Sequence, residues 1–193
     1  MQLNIYIISH PIIKILSNTI ISSALNTYNK FSSQTHKYIG LLLVYEVLRK
    51  WMQIKNLYIK KINYIKEVHI IDSQESYLII TNLLHTYNII TEIKILLPDT
   101  ELQHIDLNNN KSFTDDYNNI KLINIESTKK IMIIEKFLDN YKIIDLIKYL
   151  QVEKNVKIHQ IKIISVTCNT KILEKIGQMY PNLNIYTTKL INN

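Results

Sequence analysis

Residues 131–150 read IMIIEKFLDNYKIIDLIKYL, and this stretch decides the fold. It opens on an apolar run of the length of a buried strand. It continues with Ile143, Ile144, Ile147 and Leu150 on one helical face. A buried strand leading straight into an amphipathic helix is the repeating unit of a parallel α/β sheet. In nucleotide-handling proteins of that class a glycine-rich loop occupies the strand-to-helix joint, because bare backbone N–H groups close around a phosphate there. Here the joint, residues 135–142, reads EKFLDNYK and contains no glycine.

The same alternation extends in both directions. Downstream, IHQIKIISVTC (158–168) reads as a strand and NTKILEKIGQMY (169–180) as a helix capped by Asn169 or Thr170. NLNIYTTKL (182–190) is the last expected strand. Upstream, residues 12–27 and 34–52 look helical, the second with Ile39, Leu42, Leu43, Val47 and Leu48 at helical spacing. EVHII (67–71) reads as a strand. SQESYLIITNLLHTY (73–87) reads as a helix opened by a serine cap, and TEIKILL (91–97) as a strand that stops at Pro98. Residues 99–125 are polar, with NNNK and DDYNN as turn signals, which suits a projecting hairpin or flap, or a loose loop. The expected fold is α/β: one domain over residues 1–193, a mostly parallel sheet with helices on both faces.

The chain of 193 residues suits one domain. Its 47% hydrophobic and 20% charged content is that of a folded protein with a real core. Only 2 glycines and 3 prolines are present, while Ile, Asn, Lys and Tyr are abundant. Those abundant residues have A/T-rich codons, so the composition reads first as mutational bias. The net charge is +7 and the pI about 9.3. Arg49 is the only arginine, and the lysines are scattered, with short doublets at Lys60-Lys61 and Lys129-Lys130. Nucleic-acid binding needs a clustered basic footprint, so none is expected. The apolar runs fall short of the ~18 residues of a membrane span, and the N-terminus has no basic region of the signal-peptide kind.

Few motifs of catalysis are present. The sequence has no G-x-G-x-x-G, P-loop or G-x-S-x-G motif. His10, His36, His69, His85, His104 and His159 lack metal-ligand spacing. Cys168, the one cysteine, follows an apolar run and reads as a buried thiol. Asp115-Asp116 reads as a solvated turn, because neighbours on a strand point to opposite faces. No metal is expected. The suggestive constellation is Glu135, Asp139 and Asn140, at the strand end where open α/β sheets bind ligands. Asp139 also suits a helix N-cap.

Three stretches resemble the uracil phosphoribosyltransferase family. ISHPIIKILSNTI (8–20) is similar to the family's opening His-Pro segment. IGLLLVYEVLRKW (39–51) is similar to the next helix through Gly40, Leu42, Leu43, Tyr45, Glu46 and Arg49. YPNLNIYTTKL (180–190) is similar to a late segment through Pro181, Ile185, Tyr186 and Thr187. The resemblance implies a type I phosphoribosyltransferase fold. It also implies a reaction of uracil with phosphoribosyl diphosphate to give UMP and diphosphate, with magnesium.

The ligand-bearing positions depart from that pattern. The family's loop Asp-Pro-Met-Leu-Ala-Thr-Gly-Gly-Ser falls on residues 135–143, so Glu135, Lys136, Asp139 and Asn140 form a degenerate phosphoribosyl-diphosphate loop. Glu135 alone keeps the family's carboxylate for ribose hydroxyls. The diphosphate-contacting Leu-Arg-Ala-Gly-Leu-Gly is laid on residues 71–76. That makes Asp72, Ser73, Gln74 and Ser76 a degenerate contact segment with the arginine reversed in charge. The family's Arg-Asp pair after the third strand falls on Pro98-Asp99, and its C-terminal uracil-binding segment is expected to be missing. Three readings follow: a homologue without UMP-forming activity, an active enzyme with divergent loops, or a basic nucleic-acid-binding or regulatory module on the same fold. The first expects no catalytic residues and no cofactor, with magnesium and phosphoribosyl diphosphate relevant only if activity survives. It also expects a homodimer through the N-terminal helices, no membrane partner, and a plastid-encoded gene or else a cytoplasmic protein.

Overall fold

The computed structural model describes residues 3–23, 32–107, 125–126 and 128–192. Six strands form one sheet: β1 (Asn4–Ile7), β4 (Tyr77–Thr81), β5 (Glu101–His104), β6 (Lys130–Leu138), β7 (Ile161–Asn169) and β8 (Asn184–Ile191). Their order is β1-β8-β7-β6-β4-β5, and every neighbouring pair runs parallel. A parallel sheet must be covered on both faces. The inner strands show it: β4 is buried at every position, and β7 at all but its last.

Alternate side chains of each strand serve opposite faces. On one face Leu78, Ile80, Ile131, Ile133, Ile161 and Ile163 pack with Ile143, Ile147, Ile172 and Ile176. Those partners come from helices α5 (Lys142–Val152) and α6 (Thr170–Met179). On the other face Ile79, Met132, Ile134 and Ile164 pack with Ile13, Ile39, Leu43 and Ile89. These come from α1 (Pro11–Ser23), α2 (Ser32–Leu48) and α3 (Leu83–Ile90). The parallel α/β architecture with two covered faces is therefore as the sequence predicts.

Several local expectations give way. Residues 73–87 divide: Tyr77–Thr81 is strand β4, and Asn82 begins α3 by accepting a hydrogen bond from the Leu84 N–H at 3.1 Å. The apolar run is buried on both sides, so it lacks the two-residue alternation that would betray a strand. Residues 91–97 contain the short helix α4 (Ile93–Leu96), closed by Leu97 N–H donating to Ile93 O at 2.9 Å. The strand lies beyond Pro98, as β5. The EVHII segment is part of β3 (Ile65–Ile71), which pairs antiparallel with β2 (Ile54–Lys60) as a separate two-stranded unit. The antiparallel hairpin of the described chain is therefore at 54–71. Within the expected flap at 99–125, β5 joins the edge of the main sheet, and residues 108–124, including Asp115-Asp116, lie outside the described residues. The second helix ends at Leu48, four residues short of position 52.

Gly40 is required by packing. A Cβ at this position would sit 1.8 Å from the Ile89 carbonyl oxygen, so α2 and α3 approach backbone to side. The clash is with main chain and cannot be relieved by rotating a side chain. Gly40→Ala is expected to destabilise the fold by roughly 3 kcal/mol or more. Chemical denaturation checks this, and a loss under about 1 kcal/mol contradicts the packing account.

Candidate functional site

The carboxyl ends of β4, β5 and β6 meet at one corner of the sheet, where open α/β folds place their ligands. A cavity of about 210 Å³ lies there, lined by His85, Leu107 and residues 135–140. Glu135 comes from β6, and Asp139 and Asn140 from the turn into α5. The structure thus gathers Glu135, Lys136, Asp139 and Asn140 around one hollow.

Glu135 is 9% exposed. Burial pushes its carboxyl up to about 8, against a hydrogen bond from the Asn82 backbone N–H and with the help of Asp139 and Asp106. Asn82 is fully buried; its amide Nδ2 donates to Asp106 Oδ1 at 3.0 Å. His104 Nδ1 accepts from the Leu83 N–H at 3.1 Å, so this ring braces the start of α3. The cation at the hollow is Lys136. Its amine stands 5.1 Å from the Phe137 ring centroid, and burial lowers its pKa.

The helix start is closed by the chain itself. Asn140 Oδ1 accepts the Lys142 N–H at 2.9 Å, and Asn140 Nδ2 donates to Leu107 O at 2.6 Å. Ile143 N–H donates to Asn140 O at 3.5 Å, and Ile144 N–H to Tyr141 O at 2.9 Å. Three N–H groups that a glycine loop would offer to a phosphate are thus engaged locally. Asn140, rather than Asp139, supplies the capping oxygen, because its side chain can both accept from Lys142 and anchor to Leu107.

The segment around Asp72 is elsewhere. Residues 72–76 precede β4 and lie at the amino edge of the sheet, a strand length away from Glu135. Asp72 pairs with Lys55 at 2.6 Å, and the Gln74 N–H, followed by Lys55, holds its carboxyl below the usual range. Ser73 and Gln74 are exposed, and Ser76 Oγ is buried without a hydrogen-bond partner. Laying the diphosphate-contact motif on this segment is therefore corrected: it depends on reading 73–87 as one helix. With β4 in place, the strand-to-helix joint is residues 82–85; His85 lines the hollow and Asn82 and Asp106 act on Glu135, three candidates missed from sequence. The signal for Asn82 is an asparagine closing a five-residue apolar run. Pro98-Asp99 likewise precedes β5 instead of following a strand.

Two other candidates have local partners. Cys168 is buried, 2.9 Å from Ser165 Oγ, and burial raises its pKa. His69 Nδ1 meets Asn56 Oδ1 at 2.9 Å on the hairpin. Among the described residues, no three His, Cys, Asp or Glu side chains come together to hold a metal, and no helix is long and apolar enough to cross a membrane.

The Glu135 carboxyl has a stability consequence. Its folded pKa of about 8 lies above the ordinary 4.5. Between those values the folded protein keeps a proton that the unfolded chain releases, so this group's stabilisation is lost as pH rises toward 8. Glu135→Gln has no proton to lose. It is expected to match the wild type near pH 4.5 and to exceed it above pH 8 by on the order of a few kcal/mol. Thermal melts across this range test it; parallel curves for the two proteins contradict the assignment.

Comparison with known proteins agrees with this geometry. The sequence profile of the uracil phosphoribosyltransferase family matches residues 7–192. A protein of Porphyra purpurea described as a uracil phosphoribosyltransferase homolog is 26% identical over 98% of this chain and 89% of its own. One of Pyropia yezoensis with the same description is 28% identical over 100% of this chain and 91% of its own. A solved structure of an Aquifex aeolicus protein superposes with a TM-score of 0.76 at 15% identity, over 98% of this chain and 88% of that one, which speaks for the fold. The profile match over nearly the whole length, joined to the parallel sheet, means that the chain belongs to the uracil phosphoribosyltransferase family.

Proposed function

We propose that this chain is a family member that no longer forms UMP. The observation that carries the reading is the closed helix start at residues 140–144. There the Lys142, Ile143 and Ile144 N–H groups are donated within the turn, above a hollow that presents Glu135 and Asp139. Phosphoribosyl diphosphate is a polyanion. Its binding requires donors and positive charge at such a joint, and this corner offers three N–H donors already used and the carboxylate of Asp139, with Glu135 held neutral by burial. The protein is read as a retained scaffold without substrate chemistry at the carboxyl edge.

A plastid-encoded gene is part of this reading. The A/T-type composition and the red-algal relatives support it; a gene found only in nuclear DNA would rule it out.

The direct test is an assay with labelled uracil, phosphoribosyl diphosphate and magnesium at high protein concentration. No UMP is expected, even as protein is raised to stoichiometry with substrate. Product that scales with protein and disappears on Glu135→Gln would instead favour the active enzyme with divergent loops.

A further inference from the structure

At the amino edge of the same sheet, on the α1 and α2 face, lies a larger cavity of about 700 Å³. This is within the ~300–1,000 Å³ range of small-molecule sites. Lys162 of β7 lines it, together with Tyr6, Tyr186, His10, Arg49 and Lys50. We propose that this pocket binds a small organic oxyanion, a carboxylate or a phosphate monoester on a planar body, with Lys162 as the buried cation that receives it.

The first ground is a charge without a counterion. Lys162 is 5% exposed in an inner strand whose other side chains are almost all buried. Its Nζ donates to Tyr186 OH at 3.3 Å and stands 4.4 Å from the Trp51 ring centroid and 5.2 Å from that of Tyr186. No carboxylate pairs with it among the described residues. Glu75, the buried acid nearby, is bound by Lys130 and Tyr77, and Glu46 at the pocket rim is taken by Arg49 at 3.3 Å. Aromatic faces offset part of the cost of a buried ammonium, but an unpaired buried charge remains expensive. Burial holds the Lys162 pKa down to about 8, with Lys130 adding repulsion. The group therefore still carries its proton at neutral pH.

The second ground is the pocket's wall and rim. Tyr6 and Tyr186 stack at 4.7 Å with an interplanar angle of 16°, a flat apolar surface suited to a planar ligand. Arg49, its side chain 58% exposed, and Lys50 add positive charge at the mouth, against Glu46. Two of the carbonyls at the end of α2, which would oppose an anion, are engaged: Tyr45 O accepts from Arg49 N–H at 2.9 Å, and Leu48 O from Trp51 and Met52 N–H at 2.9 and 2.8 Å. The pocket thus combines a buried cation, a basic rim and an aromatic wall. It is separate from the Glu135 corner and does not depend on whether that corner is silent.

Trp51 is the only tryptophan and its ring centroid lies 4.4 Å from the Lys162 amine, so intrinsic fluorescence reports on that amine. The full chain is titrated with phenyl phosphate, benzoate and, as a neutral control, benzamide. A saturable change is expected with at least one of the two anions at ~1 mM or below, and none with benzamide; the tighter anion tells phosphate from carboxylate. Lys162→Met should weaken binding about tenfold or more, in line with a lost charge-assisted hydrogen bond, while raising the melting temperature of the free protein by relieving the buried charge. Because a core variant can misfold, Arg49→Gln at the exposed rim serves as a second, which should weaken binding more mildly. The proposal is overturned by no saturable response to either anion, by equal response to benzamide, or by unchanged affinity in both variants. It is also overturned if fluorescence follows protein concentration instead of probe, since a second copy would then fill the pocket.

Discussion

An all-parallel sheet cannot leave a face in water, and that constraint organises the rest of this molecule. Its inner strands carry apolar side chains on both sides, so each must be sandwiched between helices. Met132 and Ile134 need α2 and α3; Ile131 and Ile133 need α5. The helices must then lie close, and Gly40 against the Ile89 carbonyl is where that closeness leaves no room for a methyl group. The same constraint puts every strand's carboxyl end on one edge and every amino end on the other, which creates two edges of different chemistry.

Those edges carry different sets of charged groups. At the carboxyl edge burial keeps Glu135 protonated over a wide range of pH, and Asp139 and Asp106 add to that effect. At the amino edge Lys130 and Lys162 share the face of Trp51, and Arg49 and Lys50 stand at the pocket mouth. Lys136 is the cation at the carboxyl-edge hollow, while Lys162 is the buried one at the amino-edge pocket. Scaffold and site are separable: the packing that holds the sheet together does not depend on which side chains fill its corners.

Much of this was legible in sequence where local signals agreed. Residues 131–150 announce a buried strand and an amphipathic helix by period alone, and Asn169 announces its helix by accepting from Lys171 N–H at 2.9 Å. What failed did so for a shared reason. With 2 glycines and 3 prolines, the chain lacks the punctuation that usually separates elements, so 73–87 runs from a turn through β4 into α3 without a break. Ile-rich segments such as 91–97 and 77–81 suit strand and helix alike, and only the tertiary requirement for a fifth and sixth strand decides between them. The misplacement of Asp72 follows from that one error. Asn82 and Asp106 were hidden because they reach the site only once β4 and β5 are paired.

The central claim is that the turn into α5 has spent its phosphate-binding donors internally. It is tested most directly by nuclear magnetic resonance of the backbone amides of Lys142, Ile143 and Ile144 during titration with magnesium phosphoribosyl diphosphate. These amides should hold their positions at every concentration, because Asn140 and Tyr141 already occupy them. Saturable shifts confined to residues 135–144 would contradict the account and return the corner to substrate binding.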